Sequence, residues 1–194
     1  GDKQFIQWSE RTGWAMLYMY NADGTLKNAI TDGAYHVEDV VAVDEEAKKI
    51  YFTACGYNKE ENPYYMHLFS VNFDGSGLKQ IDETDMNIST YSAADNGEAF
   101  VVTASRVDTA PVNHVYSKSG KKSVELGKAD LSQLFAAGYK FPERFTVKAA
   151  DGITDLHGVM YKPFDFDSTK CYPLIEYVYP GPQTEAVNES WSSG

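Results

Sequence analysis

Short apolar and aromatic runs alternate with polar turn residues through the first 128 positions of the chain. The run Leu17–Tyr20 is followed by Asp23-Gly24, and the run Leu68–Val71 by Asp74-Gly75. An Asp-Gly pair readily adopts the positive φ that tight hairpin turns need, and runs rich in tyrosine and branched residues favour strands. The pattern therefore predicts a series of antiparallel hairpins.

The hairpin pattern repeats with a period of about fifty residues. Three pairs of matching residues are each 51 positions apart: Asp23 and Asp74, Ile30 and Ile81, and Asp44 and Asp95. A looser third copy covers residues 100–120. Four short strands in 40–50 residues are typical of a propeller blade, so residues 1–128 are predicted to hold two to three four-stranded blades. A plain antiparallel sandwich with coincidental spacing is the alternative.

One loop of the repeat is longer in its second copy. Gly56–Pro63 is polar and contains proline, whereas its counterpart is the shorter Glu10–Gly13. Such a segment is predicted to be an exposed loop. Its paired acids, Glu60 and Glu61, could bind an amine, but the favoured interpretation is a solvated charge run.

The pattern changes after Gly127. Residues 129–142 are predicted to form a helical or turn-like linker, in which Leu131, Leu134 and Phe135 are apolar and Gly138 ends a short helix or turn. Residues 143–194 are predicted to begin a different domain.

That second domain contains three candidate strands. Phe145–Val147 and Leu156–Lys162 alternate apolar and polar residues, which suits edge strands. Leu174–Tyr179 is an almost continuous apolar run, as expected of a strand buried on both faces in an α/β sheet. The fold class predicted is mostly β: a partial β-propeller followed by the first strands of a truncated α/β-hydrolase domain.

Composition and charge exclude several classes of partner. The chain has 28 acidic and 17 basic residues, for a net charge of −11, and such a surface repels nucleic acid. No apolar run approaches the roughly 20 residues that span a bilayer. Cys55 and Cys171 match no metal or redox spacing, so buried free thiols are predicted, with a disulfide left open.

The chain lacks the sequence signatures of a complete catalytic site. It contains no Gly-x-Ser-x-Gly pentapeptide, the turn that carries the nucleophile in α/β-hydrolases. The four histidines (His36, His67, His114 and His157) show no metal-binding spacing, and His157 is expected to be structural on a strand. No metal and no cofactor are predicted.

The segments Phe145–Ile153, Leu156–Pro163 and Tyr172–Pro182 together resemble the start of the catalytic domain of the prolyl oligopeptidase family of serine peptidases. The run Tyr-Pro-Leu-Ile-Glu-Tyr-Val-Tyr-Pro-Gly-Pro is similar to a motif of the dipeptidyl-peptidase IV branch. Residues 5–20, with Ser-Glu-Arg-Thr-Gly-Trp, resemble a blade strand of the same branch.

The resemblance implies a function for the longer protein. It implies a serine exopeptidase that releases N-terminal dipeptides with a penultimate proline or alanine, and a peptide as its substrate. It also implies that the hydroxyl of Tyr179 is an oxyanion-hole donor and that the protein is periplasmic or extracellular. The nucleophile and the triad are expected outside these 194 residues, so the chain by itself is expected to be inactive. The chain by itself is also expected to self-associate.

Two alternatives remain open at the level of sequence. A non-catalytic propeller that binds a partner would explain the repeats and the missing nucleophile, but not residues 145–182. Another oligopeptidase or acyl-aminoacyl peptidase of the same superfamily would explain both.

Overall fold

A computed structural model describes residues 3–95, 97–179 and 186–192. The chain divides into two compact units, one of residues 1–104 with 112–127 and one of residues 105–111 with 128–194. Almost all regular structure is strand, in antiparallel sheets. Among the described residues, no helix is long and apolar enough to cross a membrane.

The first two sheets follow the chain in order. The first contains β1 (Gln4–Ser9), β2 (Met16–Asn21) and β3 (Leu26–Ala29), paired as β1-β2-β3. The second contains β4 (His36–Asp44), β5 (Lys49–Cys55), β6 (Met66–Asn72) and β7 (Lys79–Gln80), paired as β4-β5-β6-β7.

The third sheet has the same up-and-down order, and a fourth is a single hairpin. The third contains β8 (Asn87–Ala93), β9 (Ala99–Arg106), β10 (Thr109–Ser117) and β11 (Lys122–Lys128). The hairpin pairs β12 (Glu143–Lys148) with β13 (Asp155–Met160). The predicted mostly-β fold with two to three blade-like sheets is confirmed.

The two hairpins of the repeat are the same down to their hydrogen bonds. Asp23 Oδ1 accepts hydrogen bonds from the backbone N and Oγ1 of Thr25, at 2.9 and 2.6 Å. Asp74 Oδ1 accepts the corresponding bonds from Ser76 N and Oγ, also at 2.9 and 2.6 Å. The glycine that follows each aspartate has a φ of +83° and +87°. The 51-residue period is therefore structural.

The core lies between successive sheets because the middle strands bury both faces. Ile50 and Phe52 of β5 pack toward the first sheet, in a cluster that includes Leu17. Tyr51, which points to the opposite face of β5, packs with Phe100 in the cluster shared with the third sheet. Stacking of sheets in this way is how propeller blades bury their faces.

A short helix follows the third sheet. The helix α1 (Ser132–Ala136) ends in a glycine of positive φ, Gly138 at +94°. Gly138 N donates to Phe135 O at 2.9 Å and Tyr139 N donates to Leu134 O at 3.1 Å, the paired bonds of a Schellman C-cap. The predicted helix with a terminal glycine is confirmed, while the domain boundaries at 128 and 142 stay predictions.

The two cysteines form no disulfide with each other, as predicted, but they are not both buried. Cys55 is partly buried at the end of β5, and Cys171 is exposed.

Candidate functional site

Tyr172 closes a compact loop immediately before the candidate oxyanion segment. Its hydroxyl oxygen accepts a hydrogen bond from Asp167 N at 3.0 Å, and its ring stacks on Phe166 with centroids 5.0 Å apart. Asp167 itself binds Thr169 N and Oγ1, at 3.0 and 2.7 Å. These contacts fix where the chain leaves the loop.

The buried strand predicted for Leu174–Tyr179 is wrong for this structure. Among the described residues, 173–179 belong to no strand, and Leu174 and Ile175 are 83% and 91% exposed. The reason is physical: a strand exists only with a hydrogen-bonded neighbour, and β12 and β13 pair with each other in the described part of the fold. The apolar sequence of this segment suits a buried strand, but no described sheet includes the segment.

Tyr179 lies at the end of this described segment. It is 49% exposed, whereas Tyr177, on the same face of an extended chain, is 80% exposed. Pro180–Pro182, the turn that favoured Tyr179 over Tyr177, lies outside the described residues. A phenol hydroxyl is a hydrogen-bond donor, so Tyr179 has the chemistry of an oxyanion donor, and its role stays a prediction.

The β12–β13 hairpin is tied to the turn between β9 and β10. The Asp108 carboxylate accepts a hydrogen bond from Arg144 Nε at 2.9 Å and lies 3.2 Å from Arg106 Nε. Although partial burial acts to raise the pKa of Asp108, the guanidinium groups of Arg144 and Arg106 lower it below the ordinary value overall. Residues 105–111 and the hairpin thus belong to one compact unit.

A second cluster of functional side chains was missed by sequence analysis. His67 in β6 is buried between Asp82, which follows β7, and Glu61 of the long loop. The side chain of Glu61 is only 14% exposed, so the interpretation of Glu60 and Glu61 as a solvated charge run is wrong for Glu61. The repeat could have revealed this cluster, because His67 and Asp82 lie 51 positions after the uncharged residues Met16 and Thr31.

Both ring nitrogens of His67 face a carboxylate. Nδ1 is 2.8 Å from Asp82 Oδ1, and Nε2 is 3.1 Å from Glu61 Oε1 in an ion-pair contact outside hydrogen-bond geometry. Burial acts to lower the pKa of His67, but the hydrogen bond to Asp82 and the charges of Asp82 and Glu61 raise it overall. The folded protein therefore holds the ring proton of His67 more tightly than an exposed histidine would hold it.

The carboxylates contact opposite nitrogens of the ring, so they do not converge on one point. Among the described residues, no group of three or more histidine, cysteine or acidic side chains is arranged to hold a metal ion. The other histidines lie elsewhere: His36 is 3.2 Å from Glu38, His114 packs beside Tyr116, and His157 lies on β13 as predicted.

One three-stranded and two four-stranded antiparallel sheets, each packed on the next, define the chain as part of a β-propeller protein. Residues 1–111 match the family model for the dipeptidyl peptidase IV N-terminal region. The chain belongs to that family.

Curated relatives and solved structures agree with the family. The chain is 28% identical over its whole length to dipeptidyl peptidase 4 of Trichophyton equinum and 26% identical to that of Arthroderma otae. It spans about a quarter of the length of these relatives, since it covers 25% of each.

Two crystal structures share the fold. The dipeptidyl aminopeptidase IV candidate of Bacteroides ovatus matches with a TM-score of 0.75 and 26% identity, over 97% of this chain and 29% of that one. Dipeptidyl peptidase 4 of Porphyromonas gingivalis matches with a TM-score of 0.76 and 23% identity, over 97% of this chain and 26% of that one, and this likeness shows the fold alone.

Proposed function

We propose that this chain is part of a serine-type dipeptidyl peptidase that releases N-terminal dipeptides with a penultimate proline or alanine. One observation carries the proposal: alignment with dipeptidyl peptidase 4 relatives extends over 100% of the chain, so it includes both the blades and the Tyr172–Pro182 segment. A propeller that only binds a partner has no need of that segment.

In this proposal residues 143–194 begin the α/β-hydrolase domain and Tyr179 supplies half of the oxyanion hole. Attack on the scissile carbonyl places a negative charge on its oxygen, and the Tyr179 hydroxyl donates a hydrogen bond to that oxygen. The bond is stronger to the oxyanion than to the neutral carbonyl, so it lowers the barrier more than it tightens substrate binding. The backbone N–H after the nucleophile would be the second donor.

The nucleophile and its partners are not supplied by these residues. Without a Gly-x-Ser-x-Gly turn, the 194-residue chain has no serine presented for attack. We therefore expect the isolated chain not to hydrolyse a Gly-Pro chromogenic substrate, while the longer protein hydrolyses it.

The experiment that tests the proposal is Tyr179→Phe in the longer protein. An oxyanion donor is worth about 10²–10³ in kcat, so kcat/KM on the Gly-Pro substrate should fall by that factor with little change in KM. Tyr177→Phe is the matched control because it removes the same hydroxyl two residues earlier. A loss below about threefold, or equal losses in both variants, would remove Tyr179 from the mechanism.

Two further properties belong to the proposal. Export to the periplasm or the extracellular space is inferred from the family resemblance, and fractionation of the native host tests it. Self-association of the isolated chain follows from the exposed apolar residues Leu174, Ile175 and Val178. A monodisperse monomer in light scattering would overturn the second expectation.

A further inference from the structure

The first two sheets place different side chains at one equivalent position. In the first sheet, Thr31 Oγ1 accepts a hydrogen bond from Leu17 N at 2.9 Å and lies 3.2 Å from Met16 Sδ. This pair is uncharged and buried, and it ties the segment that follows β3 to β2.

In the second sheet the same two positions carry ionisable groups. Asp82 Oδ2 accepts a hydrogen bond from Leu68 N at 2.7 Å, while Asp82 Oδ1 is 2.8 Å from His67 Nδ1. The backbone bond is the same as in the first sheet. An uncharged pair therefore suffices to build the sheet, and the histidine–aspartate pair is not needed for that purpose.

What the second sheet has in addition is the long loop. Glu61 of residues 56–65 brings its carboxylate to the outer nitrogen of His67, at 3.1 Å. Lys59 Nζ donates to the carbonyl oxygens of Ala34 and Gly56, at 2.5 and 2.6 Å, and Tyr57 packs edge-on against Phe69. The loop is thus held on the fold by several contacts, and the His67–Glu61 contact is a buried ionic one among them.

The contact between Glu61 and the ring of His67 depends on whether the ring carries its second proton. The charged groups that face His67 are Asp82, from the segment after β7, and Glu61, from the loop, and the neutral amide of Gln80 lies 3.1 Å from Nδ1. With a protonated ring, each carboxylate faces a positive N–H. With a neutral ring, one of the two faces an unprotonated nitrogen, so a buried carboxylate loses its partner.

We propose that His67 is a protonation-dependent latch that holds the loop of residues 56–65 on the second sheet. The imidazolium bridges Asp82, which is fixed to the sheet by Leu68 N, and Glu61, which belongs to the loop. Loss of the proton frees Glu61 and, with it, the middle of the loop.

The sign of the pH effect follows from the raised pKa of His67. A group whose pKa is higher in the latched state than in the open state stabilises the latched state fully below its open-state pKa, and it loses the effect as the pH rises through the latched-state value. Each unit of difference changes the loop-opening constant about tenfold. The loop should therefore open on the alkaline side.

Hydrogen exchange on the full chain, followed by mass spectrometry from pH 6 to 10 and corrected for intrinsic exchange rates, tests the proposal. Protection of residues 56–65 should fall with a single inflection as the pH rises, by about tenfold for each unit by which latching raises the pKa of His67, while protection of β5 and β6 stays constant. Glu61→Gln should lower protection at pH 6 and remove the inflection, whereas Glu60→Gln, its exposed neighbour, should change neither.

A second variant keeps the proposal falsifiable if single changes disturb folding. The double change His67→Met and Asp82→Thr copies the uncharged pair of the first sheet into the second. It should leave the protection of β6 intact and remove the pH dependence of the loop. A loop inflection that persists in this variant, or a pKa of His67 by NMR titration that Glu61→Gln does not lower, would overturn the proposal.

Discussion

The indole Nε1 of Trp8 donates a hydrogen bond to the carbonyl oxygen of Val37, with a distance of 2.8 Å. Trp8 is in β1 of the first sheet and Val37 is in β4 of the second. Val37 is fully buried, so its carbonyl group depends on a protein donor. The bond therefore joins two successive sheets of the repeat.

Replacing Trp8 by phenylalanine should destabilise the chain by about 1 kcal/mol, because it removes a hydrogen bond to a buried carbonyl oxygen. Chemical denaturation gives the free energy of unfolding. Trp14→Phe is the matched control, since Trp14 is 45% exposed and Trp8 is 46% exposed. An equal loss in the two variants would mean that ring area, and not the bond to Val37, sets the effect.

The repeat was predictable from sequence because its determinants are local. Asp74, Gly75 and Ser76 form their turn from neighbouring atoms, so the same three-residue pattern has the same consequence wherever it occurs. The glycine that ends α1 was predictable for the same reason, since a positive φ at Gly138 closes a C-cap within six residues. Such features require no knowledge of distant contacts.

The failures concern contacts between distant segments. The apolar run that includes Leu174 and Ile175 predicted a buried strand. Burial requires a neighbouring strand, however, and the local sequence pattern does not specify one. The sequence predicted that Glu61 is a solvated charge, but the fold brings its carboxylate close to His67. Alignment of the two repeats offers a partial remedy, because a charged residue at a position that is neutral in the other copy marks such a contact.

Ile30 and Ile81 occupy equivalent positions and are both buried, so the repeat predicts equal costs of truncation. Ile30→Val and Ile81→Val each remove one buried methyl group and should lower the free energy of unfolding by about 0.5–1.5 kcal/mol. Urea denaturation measures both. Ile153→Val, at an exposed position, should change stability by less than about 0.5 kcal/mol. Costs that differ strongly between Ile30 and Ile81 would contradict equal packing of the two sheets.

The aspartates of the repeated turns should titrate at unusually low pH. The side-chain and backbone hydrogen bonds from Thr25 lower the pKa of Asp23 below 3.8, and those from Ser76 do the same for Asp74. The lowered pKa means that these turns are favoured above pH 3.8 and weaken as the pH falls through the lower folded value.

Carboxyl NMR titration of the folded chain checks this expectation. Ser76→Ala should raise the pKa of Asp74 toward 3.8 because it removes the hydroxyl donor, and Asp23 serves as the internal control. If the pKa of Asp74 stays unchanged in this variant, the hydroxyl bond at 2.6 Å does not stabilise the carboxylate.

Tyr35 should make the chain sensitive to alkali. Burial raises the pKa of Tyr35 from 10.0 to about 12. In the unfolded chain the phenol ionises near pH 10, so the folded state is favoured fully below that pH and loses this contribution as the pH rises toward 12.

Tyr35→Phe cannot ionise, so its unfolding free energy should decline less steeply between pH 10 and 12 than that of the unaltered chain. Denaturation at several pH values measures the slopes, and Tyr161→Phe, at an exposed position, controls for the loss of one tyrosine. Equal slopes in the unaltered chain and Tyr35→Phe would mean that water reaches the Tyr35 hydroxyl in the folded state.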